Sequence, residues 1–457
     1  MILLPQFLGA GEAPWKTGKG QGNILLLSDI HFDPYTHHEL VPRLQAAPVE
    51  EWDSIFSEAV KAKLAPYGKD TNFVLFLSSL AAVQTTGLHY DYALVSGDFI
   101  SHHFREQFHQ HGQGGDKEYQ AFVLKTVEYV TYEIQKTLKG VPVYFCLGNN
   151  DSDCDDYSGL VPGSPFLPTL AKDWPTVAAD PQAVSSFTQG GYYTVLLPGK
   201  GRRLVVLNDV SWSLKYSPDC KAPESEGQAE LLWLKGVLQR AKAAGERVTV
   251  MTHMPPGIHG RNASEHADRT KPQHTFYAPT YLWPFLNLLA PYRSIIDGEF
   301  CGHTHMDDFR VVRDRGGKNV FLVHITPAIS PVHNNNPGFQ AMLYDKKTGG
   351  YKDMATYYLS NLETAGPTEP AKWELEYDFD KAYACKAYDM GSLVALAGNI
   401  EKDPDVRNLY IKYVPVSSTN DPPATADNWR FFGSAQLNMD PSSYMQSYRR
   451  QGSTAKK

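Results

Sequence analysis

Short, almost unbroken apolar runs punctuate the first three-quarters of the chain, at residues 23–28, 92–96, 141–147, 204–207, 248–252, 294–296 and 320–325. Runs of this length without polar alternation suit strands covered on both faces. Helical patterns lie between several of them. One covers 118–138, with apolar positions at Phe122, Leu124, Val127, Val130 and Ile134; another covers 228–244, with Leu231, Leu232, Leu234, Val237 and Leu238. Strands alternating with helices predict an α/β layered fold. Segments 151–190 and 255–280, rich in Pro, Ser, Gly, Asp or His, read as long irregular loops. The pattern changes near residue 340. Residues 341–344 and 354–359 flank Lys346-Lys-Thr-Gly-Gly350, a predicted hairpin. A Gly/Pro linker follows at 366–370, then an aromatic stretch at 373–400 expected to be mostly helical.

The chemical signal lies just beyond the apolar runs. Asp29 and His31 come after the first, Asp98 after the second, Asn149, Asn150 and Asp151 after the third, His253 after the run at 248–252, and His303 and His305 after the run at 294–296. In an open α/β sheet, ligands bind outside the carboxyl ends of the strands, so these side chains are expected to share one crevice. Carboxylate, imidazole and amide oxygen together suit two divalent ions such as Zn, Mn or Fe, and suit Ca poorly. A carboxylate such as Asp98 can bridge ions roughly 3.5–4 Å apart. In an extended chain residues i and i+2 point the same way, which would let both members of Asp-x-His and His-x-His face one cluster.

The order Asp29-x-His31, Gly97-Asp98, Gly148-Asn149, His253 and Gly302-His303-x-His305 resembles the calcineurin-like metallophosphoesterases. Within that superfamily, Asp29-Ile-His-Phe-Asp33-Pro-Tyr, Gly97-Asp-Phe-Ile-Ser-His102, His253-Met-Pro-Pro-Gly257 and Asn334-Asn-Asn-Pro-Gly-Phe339 are similar to the acid sphingomyelinase-like phosphodiesterases. The resemblance implies a metallophosphatase-type four-layer β-sandwich flanked by helices, with a small, mainly helical C-terminal region. The expected divisions are an N-terminal segment at 1–22, a catalytic domain at 23–365 and a C-terminal subdomain at 366–457. By matching position, Asp29, His31 and His305 would hold one metal, Asn149, His253 and His303 the other, and Asp98 would bridge them. A hydroxide between the ions would attack phosphorus in line. Zinc is the expected metal, with manganese or iron as alternatives.

One position departs from the family. Its Gly-Asn-His is here Gly148-Asn149-Asn150, and Asn150 can donate a hydrogen bond but cannot deliver a proton at neutral pH. His102 then becomes the candidate general acid, with Asn150 at the other catalytic position. The Gly-Asn-Asn-Asp variant also resembles endopolyphosphatases, so a phosphoanhydride hydrolase is an alternative; a metal-free binding scaffold on the same fold is a second. Only about 22 residues precede the first ligand strand, so the saposin-like module of human-type acid sphingomyelinases is not expected. Soluble phosphoesters or nucleotides are the favoured substrates, ahead of polyphosphate or a phospholipid headgroup.

Composition narrows the rest. The 457 residues are 42% hydrophobic and 20% charged, which excludes wholesale disorder. A formal charge of −7 argues against stable nucleic-acid binding. All 16 histidines fall between His31 and His333, where the metal chemistry is expected. No run approaches the ~20 apolar residues that span a bilayer. The apolar N-terminus lacks a basic region and is broken by Pro5, a poor match to a signal peptide. Of five cysteines, Cys146 and Cys301 sit in strand runs as core thiols, Cys385 is left over, and Cys154 and Cys220 lie in loops near the crevice as a candidate disulfide. Such a bond would imply an oxidising setting: secreted, periplasmic or lysosome-like.

Overall fold

A computed structural model describes residues 13–59, 63–221, 226–265 and 275–454. Twelve strands form two mixed six-stranded sheets. They are β1 (Gln21–Leu27), β2 (Tyr92–Val95), β3 (Val143–Phe145), β4 (Tyr193–Leu196), β5 (Arg202–Val206), β6 (Arg247–Met251), β7 (Ile296–Cys301), β8 (Asp308–Arg313), β9 (Asn319–Ile325), β10 (Gly338–Asp345), β11 (Tyr351–Leu359) and β12 (Trp373–Asp378). The first sheet has the order β12-β11-β10-β1-β2-β3 and the second β4-β5-β6-β7-β9-β8. β1, β2 and β3 run parallel, as do β5, β6, β7 and β9, so the ligand-bearing ends within each sheet point the same way.

One apolar core joins the two sheets: Ile24, Leu94 and Met342 of the first share it with Leu204, Met251, Phe300 and Leu322 of the second. The helices Phe73–Gln84 and Asp116–Thr137 extend that core. A second core packs Val205, Val248, Val250 and Val323 against the helices Glu226–Ala244 and Pro279–Leu289. The strand runs lack alternation because both of their faces are covered.

The structure departs from the sequence pattern in four places. β7 extends from Ile296 to Cys301, whereas the apolar run ends at 296. Glu299 masks the strand: it is fully buried, and the Thr252 hydroxyl donates to it at 2.7 Å. The segment 151–190, expected to be loop, contains the helices Phe166–Asp173, Pro175–Ala178 and Pro181–Gly190, each with a proline in or just before its first turn. The segment 255–280 holds a helix at Gly260–Glu265 and the start of another, and its stretch 266–274 lies outside the described residues. Finally, the stretch from 373 opens with β12, antiparallel to β11, and its long helix, Met390–Lys402, begins only later. The alternation of Trp373, Leu375 and Tyr377 with Glu374, Glu376 and Asp378 is itself a strand pattern, which the aromatic, mostly helical reading of the whole stretch passes over. The last helices fasten onto β8, where Tyr410 donates to Asp308 at 3.1 Å. Among the described residues no helix is long and apolar enough to cross a membrane.

Candidate metal centre

The ends of β1, β2, β3, β6 and β7 bring the seven expected ligands together. Asp29 Oδ1 lies 3.8 Å from His31 Nε2 and 3.5 Å from His305 Nε2, and the two imidazole nitrogens are 3.1 Å apart. In the second group, His253 Nε2 lies 3.0 Å from Asn149 Oδ1 and 3.1 Å from His303 Nδ1. Asp98 Oδ2 belongs to both, 3.4 Å from His31 Nε2 and 3.2 Å from His253 Nε2.

These contacts fit cations. Donors that bind one zinc at about 2.0–2.2 Å stand about 3–3.5 Å from one another. His31 directs Nδ1 at the Ile100 carbonyl (3.1 Å) and His253 at the Ser96 carbonyl (2.7 Å). Each Nδ1 therefore carries the proton, and each Nε2 lone pair faces other acceptors. Backbone partners of this kind commonly orient metal-binding histidines. Without a cation the cluster holds protons instead. Burial disfavours charge on His31 and His253, yet the surrounding carboxylates, Asp98 foremost, push them up to about 9 and about 10. Burial and the neighbouring imidazoles push His303 and His305 well down.

Extended-chain alternation does not align the ligands. Asp29, His31, Asp98, His303 and His305 all have positive φ, between 46° and 66°. Left-handed backbone at non-glycine residues stores strain of order 1–3 kcal/mol each and persists only where the surroundings impose it. Here Asp29 N–H donates to the Gly97 carbonyl (3.1 Å), His31 N–H to the Asp98 carbonyl (2.9 Å), and His303 N–H to the Asp29 carboxylate (2.9 Å). The glycines serve close approach: a Cβ on Gly302 would overlap Ser28 and Asp29, and one on Gly148 would overlap Asp98.

The two expected catalytic residues differ in placement. His102 lines the cavity beside His305 and stacks on His31 with ring centres 4.1 Å apart. Its Nδ1 faces Asp70 Oδ1 at 2.9 Å, which leaves Nε2 for the cavity. Asn150 instead turns onto Asp98: its N–H and Nδ2 each donate to that carboxylate at 2.9 Å. Four residues went unread in the sequence. Asp70 orients His102, and Asp209 accepts the N–H groups of His253 (3.2 Å) and Met254 (2.8 Å). Tyr157 Oη lies 3.3 Å from His303 Nε2, and Lys215 Nζ lies 3.5 Å from Tyr157 Oη. Asp70, Tyr157 and Lys215 are single polar residues in loops without motif spacing, whereas Asp209 opens a short 3-10 turn just after β5, the position after a strand that marks the other site residues. Asp151, unassigned in its motif, gathers the N–H groups of Gly148, Asp98 and Phe99 at 2.7–2.8 Å and so ties the β2 end to the β3 end. Cys154 and Cys220 are disulfide-bonded, Cys146 and Cys301 are buried free thiols, and Cys385 is free.

Two packed mixed sheets, with carboxylates, imidazoles and an amide gathered at their strand ends, describe a metal-dependent hydrolase. Residues 22–307 match the calcineurin-like phosphoesterases and residues 318–453 match the acid sphingomyelin phosphodiesterase C-terminal region. The chain belongs to the calcineurin-like phosphoesterase family and is a phosphoester hydrolase. Among its relatives, mouse acid sphingomyelinase-like phosphodiesterase 3b is 28% identical, over 89% of this chain and 85% of that one. Mouse cyclic GMP-AMP phosphodiesterase SMPDL3A is 27% identical, over 92% and 89%. Sphingomyelinase phosphodiesterase C of Dictyostelium discoideum is 25% identical, over 80% and 78%. A crystal structure of a dimetal phosphatase from Danio rerio overlaps 73% of this chain and 95% of its own, with 14% identity and a TM-score of 0.42.

Proposed function

We propose that the chain is a binuclear zinc phosphodiesterase acting on small soluble phosphodiesters of the nucleotide type. The observation that carries this reading is the single oxygen, Asp98 Oδ2, common to two donor groups, one completed by Asp29, His31 and His305 and the other by Asn149, His253 and His303. Two bound divalent ions supply an activated water at neutral pH and neutralise the phosphoryl oxygens. The chain's own groups do the rest. Asn150 and the β2–β3 junction hold Asp98 still, and Asp70 holds His102 against the cavity as a proton donor.

The cavity over the cluster has a volume of about 280 Å³. It adjoins a more apolar one of about 260 Å³, lined by Leu214, Thr275 and Phe276, which suits the organic part of an ester. The relatives named cyclic GMP-AMP phosphodiesterase support a nucleotide-type substrate. A phosphoanhydride is the second reading, favoured by Lys215 and Arg261 on the cavity wall and by Asn150 in place of a histidine. The Cys154–Cys220 disulfide supports action in an oxidising compartment.

The test is a screen of zinc- and manganese-loaded protein against bis-p-nitrophenyl phosphate, p-nitrophenyl phosphate, a cyclic dinucleotide, sphingomyelin and polyphosphate. Diester turnover should dominate, and Asp98→Asn should abolish it. An activity that survives Asp98→Asn, or a loaded protein that hydrolyses nothing, would refute the reading.

A further inference from the structure

The metal cavity and the apolar cavity share one wall, made of Tyr157, Lys215, His259, Asn262 and His303. If phosphorus sits over the cluster and the organic group sits against Leu214 and Phe276, the ester oxygen joining them must pass that wall. His303 is committed to the cluster through Nδ1. His259 stacks on Phe276 with ring centres 4.6 Å apart, and its Nδ1 accepts the N–H of Asn262 at 3.3 Å.

Of the other three, Tyr157 and Lys215 form a contacting pair beside the cluster, and both carry hydrogens to donate. When His303 Nδ1 serves as a ligand its neutral ring carries the proton on Nε2, which would donate to Tyr157 Oη, 3.3 Å away. The phenol's own hydrogen is thereby directed away from His303, toward the cavity that Tyr157 lines. Lys215 Nζ sits 3.5 Å from the same oxygen and 4.8 Å from the ring centre, and the Asp156 carboxyl in the same cavity feels its charge. The loops carrying the pair are fixed. Tyr157 is held in the left-handed region (φ 54°) by its N–H donating to the Asn149 carbonyl and by its carbonyl accepting the Ser217 N–H, both at 2.9 Å. The Cys154–Cys220 disulfide brackets both residues.

We propose that Tyr157 and Lys215 donate hydrogen bonds to the leaving oxygen of the ester, on the wall between the two cavities, with His102 kept as the candidate proton donor. Neutral phenol and ammonium hydrogens aimed at an oxygen that gains negative charge as its bond to phosphorus breaks are worth more in the transition state than in the ground state. The proposal rests on the phosphodiesterase reading above, and it makes Tyr157 a catalytic residue.

The experiment uses the zinc-loaded full chain and its Tyr157→Phe and Lys215→Met variants. A series of phosphodiesters differing only in the leaving group would be compared, from p-nitrophenol through phenol to a nucleoside hydroxyl. The loss in kcat/KM for Tyr157→Phe should grow as the leaving oxygen becomes more basic, to at least tenfold more on the nucleoside ester than on the p-nitrophenyl ester. Lys215→Met should share the trend, Lys215→Arg should restore part of the activity, and zinc content should match the wild type. A loss uniform across the series, or accompanied by lost zinc, would show that Tyr157 merely supports His303 and would overturn the inference. No loss in either variant would also overturn it. Each of these leaves the phosphodiesterase reading intact; only a wild-type enzyme that turns over none of the esters would bring down both.

Discussion

Asp70→Asn tests how the cavity's candidate acid is held. The Asp70 carboxylate accepts two bonds from His102, one from Nδ1 and one from the backbone N–H, each at 2.9 Å, and a longer one from Ser330 at 3.3 Å. Burial would raise this carboxyl's pKa, but the hydrogen bond and charge of His102, with the charge of His31, hold it below the ordinary range. It therefore faces His102 as an anion. Asparagine keeps the shape and one acceptor but turns the other oxygen into a donor, so one of the two His102 bonds becomes an N–H facing an N–H. A charge-assisted hydrogen bond contributes about 1.5–3 kcal/mol, and an unsatisfied buried donor costs about 1–3 kcal/mol. A net effect of about 3–4 kcal/mol on the oriented state corresponds to a loss in kcat/KM of roughly 10²- to 10³-fold. The assay is steady-state hydrolysis of a phosphodiester by the zinc-loaded variants Asp70→Asn, His102→Gln and the double variant. If Asp70 acts only through His102, the double variant should be no slower than His102→Gln alone. An Asp70→Asn enzyme within threefold of wild type, or a double variant far slower than His102→Gln, would refute the arrangement.

The same contacts set the other expected outcomes. In the metal-free cluster His31 and His253 hold protons, with pKa values of about 9 and about 10, so zinc binding must release them. Apparent zinc affinity should therefore rise steeply from pH 6 to pH 8; a flat profile in a competition titration would contradict the assignment. Asn150→Ala removes the Nδ2 donor at 2.9 Å from Asp98 and should weaken metal retention about 10–100-fold against a chelator, a range typical of groups that orient a ligand. The Cys154–Cys220 bond closes a loop of 66 residues, so reduction should cost about 4 kcal/mol by chain entropy, read as a melting point lowered by a few degrees. Burial, the leading influence on Glu299, pushes its carboxyl from 4.5 up to about 8. The folded chain keeps a proton there that the unfolded chain has lost, so this contribution to stability is complete below about pH 4.5 and declines by about 1.4 kcal/mol per unit up to about pH 8. Glu299→Gln should flatten the fall in melting point over that window, and parallel wild-type and variant profiles would sink the argument.

The candidate ligands are legible in the sequence because each sits just after a strand, and strand ends in parallel sheets converge whatever lies between them. Asp29 and His303 are far apart in sequence, yet their positions after β1 and β7 are enough to place them in one crevice, where the His303 N–H donates to the Asp29 carboxylate. The cause of their alignment is not legible. Extended alternation is the expectation, and left-handed turns do the work, because a sequence pattern reports which residues leave a strand but not the φ each adopts on leaving. Local pattern fails again where tertiary pairing decides the element. Glu299 breaks an apolar run that burial restores, whereas Trp373–Asp378 alternates apolar and polar residues and is legible as a strand once read apart from the helices that follow it. The supporting residues are hidden for a related reason. Asp70, Tyr157 and Lys215 act through a few contacts with residues distant in sequence, and a lone polar residue in a loop has no period to betray it. Asn150 shows the converse limit. The motif locates it and chemistry rules out proton delivery, but only its two hydrogen bonds to Asp98 reveal the use to which the substitution is put. An amide there can hold the Asp98 carboxylate without competing for metal, and under the proposed reaction the work of easing out the leaving oxygen then falls to groups elsewhere on the cavity wall.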